Sequence, residues 1–150
     1  MKKILAAVFL AGTLPAAAQT VEECDWRADM RFIAEPWEDH IASLANVGVR
    51  LAIIDMRDPV AVPYRLVVIS PPYDEDDWPQ CMTIGSFAGI DFAALQTGYD
   101  PNTGLIFTVP VRLYDAATDT TQPSVLTFSL NQASGDILSR LDTPVETPAE

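Results

Sequence analysis

Beyond its third residue the chain contains no lysine; Lys2 and Lys3 are the only two. Schiff-base chemistry and a lysine general base are thereby excluded from the rest of the chain. There is one histidine, His40, and there are two cysteines, Cys24 and Cys81. Together they fall short of the four ligands of an ordinary zinc site. Glycine is sparse and nowhere makes a phosphate cradle, since Gly85-Ser86-Phe87-Ala88-Gly89 lacks the lysine and the spacing. No Gly-x-Ser-x-Gly elbow occurs. After residue 18 no apolar run is long enough to span a bilayer.

What is present begins at the first residue. Met1-Lys2-Lys3 is positive, Ile4 to Leu14 is almost wholly apolar, and Pro15-Ala16-Ala17-Ala18 ends in small residues. That order is the layout of a secretory signal peptide with cleavage after Ala18. Its apolar run of about eleven residues is too short for a membrane anchor, which needs roughly 20. The expected organisation is a signal peptide at 1–18, a single domain at 19–141 and a disordered tail at 142–150, where Pro144 and Pro148 stand among acids. The expected compartment is the periplasm or the extracellular space, with no membrane contact after cleavage.

The whole chain carries nine basic and 21 acidic residues, for a formal charge of −12. Loss of Lys2 and Lys3 with the leader leaves seven arginines against the same 21 acids, a formal charge of −14. So acidic a surface repels phosphate backbones and anionic bilayers, which disfavours nucleic acid and membranes as partners. Basic proteins or metal ions suit it better. Apolar residues make up 49% of the chain, enough for a packed core rather than a disordered acidic segment.

In an oxidising compartment the pair Cys24 and Cys81 reads as a disulfide. Closing a loop of about 57 residues is worth roughly 4 kcal/mol by loop-entropy bookkeeping.

Trp26, Met30, Ile33, Trp37, Ile41 and Leu44 recur at steps of three and four, which describes one face of a helix. Pro36 interrupts the series and leaves two readings, a kinked helix from about 26 to 45 or a shorter one that starts at Pro36. The expected helix is the shorter, from Pro36 to Asn46, ended by Asn46 and Gly48, with 25–34 a second helical turn or an extended arm. At that spacing Trp26 and Trp37 read as core. Strands are expected from Val47 to Ile54, Tyr64 to Ser70, Cys81 to Ser86, Asp91 to Thr97, Leu105 to Tyr114 and Ser124 to Leu130. Pro110 lies inside the clearest of these and marks an edge or a bulge. Asp100-Pro101-Asn102-Thr103-Gly104 and Asn131-Gln132-Ala133-Ser134-Gly135 share one turn grammar: an Asx residue that caps and a glycine free to go left-handed. The C-terminal third therefore reads as an antiparallel meander.

The expected fold is α+β: one N-terminal helix packed on an antiparallel meander of five to six strands. Both faces of those strands are partly apolar, and one helix cannot cover both. The sheet is expected to curl into a partial barrel or to meet a second copy, so a homodimer is admitted.

One segment differs from ordinary scaffold. In Pro71-Pro72-Tyr73-Asp74-Glu75-Asp76-Asp77-Trp78-Pro79 four consecutive acids sit between two aromatics and three prolines. Asp74, Glu75, Asp76, Asp77 and Trp78 are the candidate partner-binding residues, against the alternative of a merely solvated connection. A calcium loop needs six to eight oxygens from a chain folded round the ion, and the alternating Asp-x-Asp-x-Asp-Gly grammar is missing. His40 with Ser43 three residues on would suit a base and nucleophile, but nothing else marks either residue, and an exposed helical histidine is the plainer reading. No catalytic residue, metal ligand or cofactor is assigned. The expected function is a non-enzymatic exported envelope protein that binds a protein or small ligand. A small secreted hydrolase using carboxylates and a calcium-stabilised module are the alternatives.

Overall fold

Alternation of apolar and polar residues writes most of this structure. The computed structural model describes residues 18–57 and 62–142. The expected leader, save Ala18, and positions 143–150 of the expected tail lie outside them, while Asp142 closes the last strand. Ten strands form among the described residues: β1 (Val21–Glu23), β2 (Ile41–Leu44), β3 (Val49–Asp55), β4 (Tyr64–Tyr73), β5 (Pro79–Phe87), β6 (Gly89–Ile90), β7 (Gln96–Asp100), β8 (Gly104–Asp115), β9 (Thr120–Leu130) and β10 (Ile137–Asp142). They make two antiparallel five-stranded sheets. The first has the order β1-β5-β4-β3-β2; the second has β10-β9-β8-β6, with β7 also paired to β8.

The sheets share one core. Val49, Leu51 and Ile53 of β3, Leu66 and Val68 of β4, and Ile84 and Phe87 of β5 face Phe107, Val109 and Val111 of β8 and Leu126, Phe128 and Leu130 of β9. Every second residue is buried, as a strand with one covered face requires. Phe107 and Phe128 stack across the β8–β9 pair with ring centroids 4.7 Å apart.

The α+β expectation fails here. Among the described residues the only α-helix is α1 (Trp37–His40), a single turn, and no N-terminal helix packs on a sheet. The second layer over the first sheet is the second sheet, so neither a partial barrel nor a second copy is needed to cover the core. The expected helix from Pro36 to Asn46 breaks after His40, because Ile41 to Leu44 finds a pairing partner in β3. Gly48 does take the left-handed conformation, at φ 68°, but it ends a 3-10 turn at Ala45–Val47 and so closes the β2–β3 hairpin. The apolar steps of three and four have a different origin. Asp25 and Asp29 each accept a hydrogen bond from the backbone N–H two residues on, of Arg27 at 3.0 Å and Arg31 at 2.9 Å. Each aspartate thereby caps a 3-10 turn, and the arginine folds back on its own aspartate through Nε at 2.8 Å. Two Asp-x-Arg turns in tandem hold Trp26 and Met30 outward, 70% and 66% exposed. Trp37, on α1, is also exposed, at 49%, so neither Trp26 nor Trp37 is a core residue.

This segment has a structural task. Register places Ile54, Val67 and Thr83 on the face of the first sheet turned away from the second, yet all three are buried. The chain crosses that face. It leaves β1 at one edge, where the Cys24 N–H donates to the Cys81 carbonyl at 3.0 Å, and bridges to β3 at Ile33–Ile54, beyond the stretch of β3 that β2 pairs. On the way Arg27 and, from β4, Arg65 both reach Glu22, at 3.5 and 3.9 Å. The expected disulfide is present: Cys24 and Cys81 are bonded, with Cα atoms 5.3 Å apart. It staples the start of the crossing to β5.

The turns follow the sequence closely. Asp100 Oδ1 accepts from the N–H of Asn102 and Thr103, and Asn131 Oδ1 from those of Ala133 and Ser134. Gly104 and Gly135 take φ of 93° and 83°. A Cβ at Gly104 would collide with the Leu130 carbonyl oxygen. The expected strand at Asp91–Thr97 forms only from Gln96; Phe92–Ala94 is a 3-10 turn. Pro110 explains the break. The Asp91 N–H donates to the Pro110 carbonyl at 2.9 Å, but proline has no N–H to return, so the β6–β8 ladder stops and the chain turns away. The edge expected at Pro110 is local, and β7 takes over the same side of β8 from Thr108. No helix among the described residues is long and apolar enough to cross a membrane.

Candidate functional site

The five candidate partner-binding residues sit together at the tip of the β4–β5 hairpin, where Tyr73 pairs with Pro79. They do not share one role. Asp74 Oδ1 accepts from the N–H of Asp76 and of Trp78, both at 2.9 Å. The Asp74 N–H donates to the Trp78 carbonyl at 2.9 Å, and the Asp77 N–H to the Asp74 carbonyl at 3.1 Å. Asp77 takes φ 62°, the left-handed position that closes the loop. Asp74 is thus spent on shape, while Glu75, Asp76 and Asp77 present their carboxylates to solvent. Trp78 is 69% exposed and Tyr73 53%.

The tip is part of a larger construction. Gln80 Nε2 donates to the Gly135 carbonyl at 2.9 Å and to Ser70 Oγ at 3.0 Å, which ties the hairpin of the first sheet to the β9–β10 turn of the second. Gly135 lies so close that a Cβ there would collide with Gln80 and Pro72. Gln132 Nε2 donates to the Val47 carbonyl at 2.7 Å, which adds the β2–β3 turn. Three connections from both sheets are locked into one end of the molecule by two glutamine side chains. Sequence reading missed both glutamines, since nothing local marks a residue whose partner lies 55 or 85 positions away.

His40 lies elsewhere, on α1. Its Nδ1 is 2.9 Å from the Pro36 carbonyl. A carbonyl can only accept, so Nδ1 is the donor in this contact. Ser43 is not one helical turn on from it; it belongs to β2 and pairs with Arg50. The base and nucleophile pairing has no geometric support. His40 lines two clefts that meet at His40, Ile90 and Asp91. One, of about 680 Å³, runs between the start of β2 and the Phe92–Ala94 turn; the other, of about 710 Å³, opens towards Ile53, Tyr64 and Arg112. The visible signal for this concavity was Pro110, whose missing donor ends β6. No group of three or more His, Cys, Asp or Glu side chains among the described residues is arranged to hold a metal ion.

Comparison with protein-family models, with curated proteins and with solved structures finds no match to the chain.

Proposed function

We propose that the chain is a non-enzymatic binding protein of the periplasm or the extracellular space, and that it engages a basic protein partner with the loop end built around the β4–β5 hairpin. The observation that carries this reading is the tip itself: two exposed aromatics flank three free carboxylates on a backbone that Asp74 and Gln80 hold in place. A pre-shaped loop loses little freedom on binding. Exposed aromatics with an apolar body are the usual anchors of protein interfaces. Carboxylates around them speed encounter with a positive partner and turn away negative ones. Loops gathered at one end of a two-sheet scaffold are a common place for recognition. An oxidising compartment suits the Cys24–Cys81 bond.

The experiment is capture from an envelope extract on the immobilised chain, compared with two variants. One carries Glu75→Gln, Asp76→Asn and Asp77→Asn; the other carries Tyr73→Ser and Trp78→Ser. Asp74 is left intact, so the loop keeps its shape. Both variants are expected to lose the basic proteins retained by the parent, the first also losing salt sensitivity. Equal capture by all three eliminates the hairpin as the binding element.

A further inference from the structure

We propose that the free edge of β2 is a docking site for an extended basic peptide segment, which adds as a strand and lays apolar side chains in the groove between β2 and the Phe92–Ala94 turn. This site stands apart from the hairpin end and does not depend on it.

The edge comes first. β2 ends the order of the first sheet, its register partner is β3, and no described strand pairs its other side. Ile41-Ala42-Ser43-Leu44 is short, but it carries neither lysine, nor proline, nor an inward charge, three of the devices that guard an exposed edge. The unpaired N–H and C=O groups of such a strand are a template for another chain.

The groove of about 680 Å³ lies alongside. Ile41, Ile90, Phe92 and Leu95 give it an apolar lining, and α1 packs against the Phe92–Ala94 turn to fix its wall. Ile41 is 41% exposed although it is a large apolar residue on a strand. An added strand would cover it.

The sign of the charge selects the occupant. Glu38, Asp39 and Asp91 line the groove, and among the described residues His40 is the one other ionisable group in its lining and no arginine belongs to it. The chain as a whole is at −12. A second copy would bring the same charge to the same place, and an acidic peptide would meet three carboxylates. An extended segment that alternates basic and apolar residues satisfies the edge, the lining and the charge together.

The test uses fluorescence anisotropy with a labelled peptide of alternating arginine and valine, and with its glutamate–valine counterpart. The intact disulfide-bonded protein is expected to bind the first and ignore the second. Glu38→Gln, Asp39→Asn and Asp91→Asn together should weaken binding about tenfold and flatten its salt dependence. All three residues are exposed, so the fold is retained. On binding, amide protection should rise at residues 41–44. Neutralising Glu75, Asp76 and Asp77 should leave this binding unchanged, which separates the groove from the hairpin. No binding of the arginine peptide, equal binding by the triple variant, or protection that rises away from β2 overturns the proposal. Sedimentation that shows a dimer with β2 protected in the absence of peptide gives the edge to a second copy, and overturns it too.

Discussion

The second sheet is assembled from neighbours, whereas the first needs help from a distance. β8, β9 and β10 follow one another through short turns, each capped by an Asx residue, and they bury Phe107, Phe128 and Leu130 at once. Ordering such a meander costs little closure entropy, because its contacts are near in sequence. β3, β4 and β5 also follow one another, but their outward face is covered only when residues 24–34 cross it, held by Cys24–Cys81 and by the shared Glu22. Local pairing suffices where one face is buried. Where a second face must be covered by a strap, a covalent tie and charged groups secure it.

That contrast can be broken at four points. The largest effect is expected from Phe128→Ala, which removes a fully buried ring stacked on Phe107; large-to-small changes of this kind cost about 3–5 kcal/mol. Because the core is common to both sheets, denaturant unfolding should remain a single transition at a lower midpoint. Two separate transitions would make the sheets independent. Next comes Cys24→Ser with Cys81→Ser, expected to cost about 2–4 kcal/mol. Hydrogen exchange should quicken first at residues 24–34 and at Val67 and Thr83, with β8 and β9 unchanged. Uniform quickening would mean that the strap is no weaker than the meander.

Gln80→Ala should cost about 1 kcal/mol, since it leaves the Gly135 carbonyl and Ser70 Oγ without their donor. Its sharper signature is loss of order in the β4–β5 tip relative to the β9–β10 turn, read by backbone relaxation. The smallest effect concerns acid. The Arg27 guanidinium and its N–H hold the Asp25 carboxyl down from 3.8 to about 2. A depressed carboxyl stabilises the fold above its unfolded value and loses that contribution as pH falls through the folded one. The parent should therefore lose stability between pH 3.8 and about 2 through this group, and Asp25→Asn should shed that part of the slope. Melting curves of the two proteins should converge at the acid end; parallel curves would show that the strap does not feel this pair.

The meander was legible in the sequence because its information is local. Asp100 and Gly104, or Asn131 and Gly135, specify their own turns, and Leu126, Phe128 and Leu130 specify their own face. In the third turn, between β8 and β9, Asp119 at φ 52° takes the left-handed place that glycine holds in the other two. The N-terminal part was misread because two structures share one spacing. Apolar residues four apart suit a helix, and they equally suit two Asp-x-Arg turns laid end to end. The hydrogen bond from the Arg27 N–H to the Asp25 carboxylate decides between them, and periodicity does not carry it. The disulfide was legible from cysteine count and compartment. At the candidate hairpin the acids and aromatics were visible, but not that Asp74 shapes the loop while its three neighbours stay free, nor that Gln80 and Gln132 fasten it from afar. The groove beside β2 depends on which strand ends the sheet, and that is decided by the whole pairing pattern.

The tandem Asp-x-Arg turns separate what folds from what is displayed. Their closure rests on aspartate, arginine and main chain, so the middle residue is a passenger with an open outlook. Positions 26 and 30 are therefore a ready cassette: Trp26 gives up an edge contact with Phe32, and otherwise either side chain can be rewritten while the turn keeps its shape. The Arg57 N–H donates to Asp55 Oδ1 at 2.8 Å around Met56, which repeats the main-chain half of the unit, although there the guanidinium turns to Glu35 at 3.5 Å. A surface of this kind can change its chemistry by single substitutions without disturbing the scaffold beneath.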